Sequence, residues 1–159
     1  MSISASLATT ISSGGQLIVL DNGSYTATGL TALDGGLLKV EEGGVYAGEG
    51  GIAGSANGDT IAIDGESNIG TSFDLGAGND SIAVTGTFIV TSAINLGDGD
   101  DSVAFIDNGS FLALFFGGMD AGTGGETAGD TLRLGGTVET DFGAGTSIAN
   151  FEHLVKEGT

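Results

Sequence analysis

Two acidic phrases punctuated by glycine carry the residues best suited to chemistry in this chain. They are FDLGAGNDSIAV (Phe73–Val84) and INLGDGDDSVAF (Ile94–Phe105), 21 residues apart. Asp80 matches Asp101, and Gly76 and Gly78 match Gly97 and Gly99. Ser55–Ile61 is a degenerate copy that keeps Asp59, and Gly122–Leu132 keeps the glycine pair and Asp130 around an insertion. If the copies stack, Asp59, Asp80 and Asp101 fall in one column. Two bare carboxylates at the strand spacing of about 4.8 Å repel by about 1 kcal/mol in water and about 3.5 kcal/mol at an effective dielectric of about 20. A bound Ca²⁺ would turn that cost into a gain, since calcium takes oxygen ligands from carboxylates and carbonyls. A neighbouring column of Asp74, Asn95, Asp120 and Asp141 adds oxygens, and Asp98 and Asp100 add charge. The alternative is that Gly-Asn-Asp and Gly-Asp-Asp are solvated corners chosen for backbone geometry.

The elements that position these turns repeat with them. Stepping back by 21 from Val103 gives Ile82, Ile61, Val40 and Val19; stepping forward takes 29, to Leu132. Gly23, Gly44, Gly65 and Gly86 form a second column, and Thr31, Ile52, Phe73 and Ile94 a third. The extra residues divide into four within Val103–Gly118, placed near 113–118, and four between Gly124 and Asp130, near 125–129. The next glycine turn, Phe142–Gly145, is read as the copy of Ala121–Gly124, with its Asp lost. Each unit holds three short strands separated by Gly, Asn or Asp corners, such as Gln16–Leu20, Tyr25–Ala27 and Leu30–Leu33. Period-two alternation sends Ile61/Ile63, Ile82/Val84, Val103/Phe105 and Leu132/Leu134 to one face, and Thr60/Ala62, Ser81/Ala83, Ser102/Ala104 and Thr131/Arg133 to the other. Glycine at this density penalises a helix by roughly 1 kcal/mol per residue. One unit cannot bury its apolar face alone, but stacked units can.

The expected fold is therefore all-β: a right-handed parallel β-helix, a β-solenoid of six to seven coils. Residues 14–159 form the solenoid, and residues 1–13 an irregular N-terminal segment or cap. The column Tyr25, Tyr46, Ser67 and Phe88 reads as an aromatic stack broken by one polar residue.

Composition sets the function classes. Gly is 32 of 159 residues and Pro is absent, so nothing blocks a continuous hydrogen-bonded ladder. A hydrophobic fraction of 40% is too high for a disordered glycine-rich linker. Without Cys there is no disulfide scaffold. A net charge of −18, from 21 acidic and three basic residues, argues against nucleic acid and anionic membrane surfaces as partners and makes metal cations the natural counter-ions. Met1–Leu20 lacks the basic and apolar regions of a signal peptide, and the apolar run Phe111–Phe116 is far too short to span a membrane.

The turn L-G-x-G-x-D-S-Φ resembles the calcium-binding nonapeptide of repeats-in-toxin proteins, G-G-x-G-x-D-x-U-x. Leu75–Ala83 and Leu96–Ala104 match it at every position but the first Gly, which is Leu here. The resemblance implies Ca²⁺ as a cofactor, held by Asp80, Asp101 and Asp130 with the turns of Gly76, Gly78, Gly97 and Gly99. This chain has one such turn per coil where the toxin repeats have two, so at most one edge would be metallated. The C-terminal run Ile148–Thr159 is similar to the lead-in of the passenger repeat of bacterial autotransporters, F-E-x-L-x-K-x-G, through Phe151, Glu152, Leu154, Lys156 and Gly158. That resemblance implies an extracellular or cell-surface segment of a longer bacterial protein.

The expected function is a non-enzymatic structural or adhesive module with a cell-surface or glycan ligand and end-to-end or lateral self-association. The alternative is a module whose folding is coupled to external Ca²⁺. A third reading, a polysaccharide-active enzyme, rests on the pair Asp100-Asp101, but the basic residues that would hold a uronate are missing. His153, the sole His, reads as a corner residue, and Arg133 as an outward partner for nearby carboxylates.

Overall fold

A computed structural model describes residues 2–5, 8–106, 112–115, 117–136 and 147–158. The chain is an all-β parallel solenoid built from coils of three short strands. The first coil holds β1 (Ser2–Ala5), β2 (Thr9–Ser12) and β3 (Gln16–Val19). The second holds β4 (Ser24–Ala27), β5 (Thr31–Asp34) and β6 (Leu37–Val40). The third holds β7 (Val45–Gly48), β8 (Ile52–Ser55) and β9 (Thr60–Ile63). The fourth holds β10 (Glu66–Ile69), β11 (Phe73–Gly76) and β12 (Ser81–Val84). The fifth holds β13 (Thr87–Val90), β14 (Ile94–Asn95) and β15 (Ser102–Ile106). The sixth holds β16 (Leu112–Phe115), β17 (Met119–Asp120) and β18 (Thr131–Gly135). The short β19 (Ile148–Ala149) and β20 (His153–Glu157) follow. Among the described residues every third strand joins the same sheet, giving parallel sheets of six, seven and seven strands.

Alternation makes the core. Along β12, Ile82 and Val84 are buried while Ala83 is exposed. The inward ladders are Leu38, Ile61, Ile82, Val103 and Leu132 beside Val40, Ile63, Val84 and Phe105. In the third sheet the expected Val19–Val40–Ile61 column slips, because Val40 pairs with Ile63 and Leu38 with Ile61. The physical reason is the period of two: a two-residue slip keeps every side chain on its face, and apolar residues occupy both positions. The columns at Gly23, Gly44, Gly65 and Gly86 and at Thr31, Ile52, Phe73 and Ile94 keep their register, and Met119 and Ile148 extend the latter.

The aromatic column is present. Tyr25 and Tyr46 stack with centroids 6.1 Å apart and planes 4° from parallel. The Tyr46 hydroxyl, fully buried, donates to Thr31 Oγ1 at 2.8 Å. Phe88 meets Phe73 edge-on at 6.0 Å and Phe105 at 6.5 Å. Between them Ser67 is fully buried and its Oγ has no hydrogen-bond partner. Ser67→Ala is therefore expected to stabilise the fold by about 1 kcal/mol, since it removes an unsatisfied hydroxyl at little cost in packing. Urea unfolding of the variant checks this, and a lower midpoint would refute it.

Three further expectations change. Where an irregular segment or cap is expected over residues 1–13, β1 and β2 pair with β4 and β5. The four-residue insertion placed near 113–118 lies earlier, because Phe105 pairs 21 residues back with Val84 while Leu112 already pairs 25 back with Thr87. It falls within 107–111, which lie outside the described residues. The last expected turn does not continue at the 21-residue spacing: Asp120 pairs with Ala149, so Ala149, not Asp141, takes that column. Asp141 and Phe142–Gly145 lie outside the described residues.

Candidate functional site: a buried carboxylate ladder

The turn between β11 and β12 sets the site. Gly76 and Gly78 have φ of 91° and 106°, Gly97 and Gly99 of 107° and 141°, and Gly122 of 104°. These left-handed positions stack backbone on backbone: Asp98 N–H donates to Gly76 O at 2.9 Å, and Gly99 N–H to Gly124 O at 2.7 Å. The turn then delivers an aspartate inward, immediately before β9, β12, β15 and β18 of the third sheet.

Asp59, Asp80, Asp101 and Asp130 lie at 0%, 2%, 2% and 0% exposure, which is rare for carboxylates. Each is tied to its neighbour by one repeated bond. Asp59 N–H donates to Asp80 Oδ1 at 2.6 Å, Asp80 N–H to Asp101 Oδ1 at 2.8 Å, and Asp101 N–H to Asp130 Oδ1 at 2.6 Å. The series starts on Gly35 and Gly36, whose N–H groups donate to Asp59 Oδ1 at 2.7 and 3.3 Å. It ends on Glu152, whose Oε2 accepts from Asp130 N–H at 2.8 Å. Oδ1 thus satisfies a backbone donor that stacked strands would otherwise leave orphaned.

The second oxygens behave differently. Asp59 Oδ2 accepts from Ser55 N–H at 3.2 Å. The Oδ2 atoms of Asp80, Asp101 and Asp130 are buried with no partner. Burial pushes Asp80 up to about 8; the bond from Asp59 N–H opposes this, and the carboxyls of Asp101 and Asp59 add to it. Burial likewise raises Asp101 to about 6, with Asp130 foremost among the charges that add. Asp130 is raised by the same cause. Those bare oxygens are places for a proton or a cation.

The outer acidic column is satisfied by amides. Asp74 Oδ1 accepts from Asn95 Nδ2 at 3.1 Å, and Asp120 Oδ1 from Asn150 Nδ2 at 2.7 Å. Asp100 is held by the inserted loop: Thr127 Oγ1 and the N–H groups of Thr127, Ala128 and Gly129 donate to it at 2.6 to 2.8 Å. The Thr127 hydroxyl first, then those amides, keep its carboxyl well below the usual carboxylate range. Arg133 pairs with Glu157, and exposed His153 places Nε2 3.0 Å from Ala128 O.

All seven residues singled out from the sequence as a metal site are therefore in or beside one ladder. Asp80, Asp101 and Asp130 form its buried column, and Gly76, Gly78, Gly97 and Gly99 shape its turns. Sequence reasoning missed Glu152, the ladder's last member, and Glu126, whose carboxylate lies with those of Asp130 and Glu152 inside 4.8 Å. The signal for Glu152 was its place directly before an alternating strand. The ladder and this acidic triad can bind ions. In class, the molecule is a parallel β-solenoid with an internal carboxylate ladder. No family model, curated protein or solved structure matches the chain.

Proposed function

We propose that this chain is a non-enzymatic structural module, a β-solenoid segment of a bacterial surface or secreted protein that presents a rigid stalk or an adhesive face. The observation that carries this reading is what the carboxylates do. Asp101 is buried and hydrogen-bonded to the backbone of Asp80, and Asp100 takes four donors from the inserted loop. Burial keeps Asp101 out of reach of a glycan and the loop engages both oxygens of Asp100, whereas both hold coils together. The continuous strand ladders and the small outward residues Ala62, Ala83 and Ala104 supply a flat face for a cell-surface or glycan ligand or a second rod. The test is a panel of acidic and neutral glycans scored for both retention and cleavage. Retention without release of reducing ends is expected. Turnover that disappears in Asp101→Asn would replace the stalk by an enzyme.

A second reading has its own support. The unpartnered Oδ2 atoms of Asp80, Asp101 and Asp130 favour a module whose folding is linked to external Ca²⁺. Melting curves in millimolar Ca²⁺ and in excess chelator separate the two readings. A stabilisation lost in the double variant Asp80→Ala, Asp101→Ala supports the calcium-linked module, and superimposable curves support a plain stalk.

A further inference from the structure

We propose that the inserted loop 125–129 builds a separate calcium site at the C-terminal end of the ladder, with Glu126, Asp130 and Glu152 as its carboxylate ligands. The proposal goes beyond the stalk reading and does not depend on the glycine-turn sites. One oxygen from each of the three residues lies within 4.8 Å of the other two. Calcium binds oxygen at about 2.3–2.6 Å, so two ligands of one ion stand at most about 5 Å apart. The three oxygens fit inside that limit.

Two observations independent of the clustering point into this site. Asp130 is fully buried, and its Oδ2 has no hydrogen-bond partner. Glu126 Oε1 is buried and unpartnered as well. An anionic oxygen removed from water without a donor is costly unless a cation meets it. No basic side chain does so: the chain has three, and Lys39 pairs with Glu41, Arg133 with Glu157, and Lys156 bonds Gly136 O.

The loop is built for the purpose from its own residues. Its four extra residues, which raise the spacing from 25 between β14 and β17 to 29 between β15 and β18, bring in Glu126. Asp100 anchors the loop through Thr127, Ala128 and Gly129, so its oxygens are engaged and it positions rather than binds. Gly129, at φ 87°, has no Cβ, and one there would press on the Glu152 side chain at 3.1 Å. Glu152 replaces the shorter Asp at the ladder position and so reaches the loop. A donor set of carboxylate oxygens alone suits calcium better than the near-ideal octahedron magnesium demands.

The test is calorimetric titration of the chelator-stripped chain with Ca²⁺ in excess Mg²⁺, beside Glu126→Gln, Glu152→Gln and Asp80→Asn. Glu126 makes no hydrogen bond through Oε1, so Glu126→Gln keeps the fold, and circular dichroism verifies that. Expected is a Ca²⁺ site weakened at least tenfold in Glu126→Gln and Glu152→Gln and retained in Asp80→Asn. Protection of residues 125–129 from hydrogen exchange should appear with Ca²⁺ in the wild type and vanish in Glu126→Gln. Wild-type affinity in Glu126→Gln, or no binding at millimolar Ca²⁺, overturns the proposal. Loss of binding only in Asp80→Asn would place calcium in the ladder and overturn it too.

Discussion

In metal-free buffer the protein should become more stable as the pH is lowered from about 8.5 to about 5.5, the reverse of ordinary acid denaturation. Asp80 titrates near 8 in the fold and Asp101 near 6, both above the ordinary aspartate value of 3.8. Between the unfolded and folded values the native state binds protons that the unfolded chain has released. Stability therefore falls with rising pH through that window, by up to about 1.4 kcal/mol per pH unit for each fully coupled proton. The stabilisation is complete below the unfolded value and is lost as pH rises past the folded one. Burial shifts Asp130 and Glu126 in the same direction. Asp100 works oppositely, but its stabilisation is lost only below the ordinary carboxylate range. Asp80→Asn keeps the acceptor for Asp59 N–H and removes the charge. Its melting temperature should exceed that of the wild type near pH 8.5 and converge with it near pH 5.5, flattening the profile. Circular dichroism melts in chelator measure this. A wild-type melting temperature that climbs with pH across the range would sink the ladder as the source.

Gly97→Ala should be among the most damaging single methyl additions in the turns, costing about 4 kcal/mol from backbone strain and overpacking together. Gly97 has φ 107°, and a Cβ there would collide with the Gly76 carbonyl of the coil beside it. Nothing flexible stands in the way; the obstacle is backbone that itself accepts Asp98 N–H. Gly14 supplies the control. It has φ 73°, and a methyl group added there would meet nothing within 4 Å, so Gly14→Ala should cost only about 1–2 kcal/mol. Urea denaturation of both variants separates strain from collision, and equal losses would mean that the stacked turns yield.

The solenoid was legible because stacking copies the same demand onto each coil. Phe73 and Ile94 occupy one interior position, so both are apolar, and the turns at Gly76 and Gly97 meet the same close backbone, so both are glycine. Asp59, Asp80, Asp101 and Asp130 aligned for that reason. What could not be read is whatever breaks the repeat. The slip of Val40 onto Ile63 leaves no trace, since two apolar residues two positions apart are interchangeable to an alternating pattern. The column was carried to Asp141 because a period cannot announce where it stops. Glu126 lies in an insertion that has no copy for comparison. Glu152 sits in a different phrase, and only pairing of Thr131 with His153 brings it against Asp130. The direction of the ladder's hydrogen bonds was equally hidden, because composition fixes which residues stack but not which donor reaches which oxygen.

That direction makes the molecule an arrow. Every ladder N–H points the same way along the axis, from Gly36 toward Glu152. Each turn is gripped by the one that follows it and grips the one before. Cutting at the trailing side of a coil removes a donor and leaves a carboxylate to water; cutting at the leading side removes the carboxylate and leaves an amide waiting. A rod with this internal polarity counts its turns in one sense only, and any filament made from it would inherit that sense.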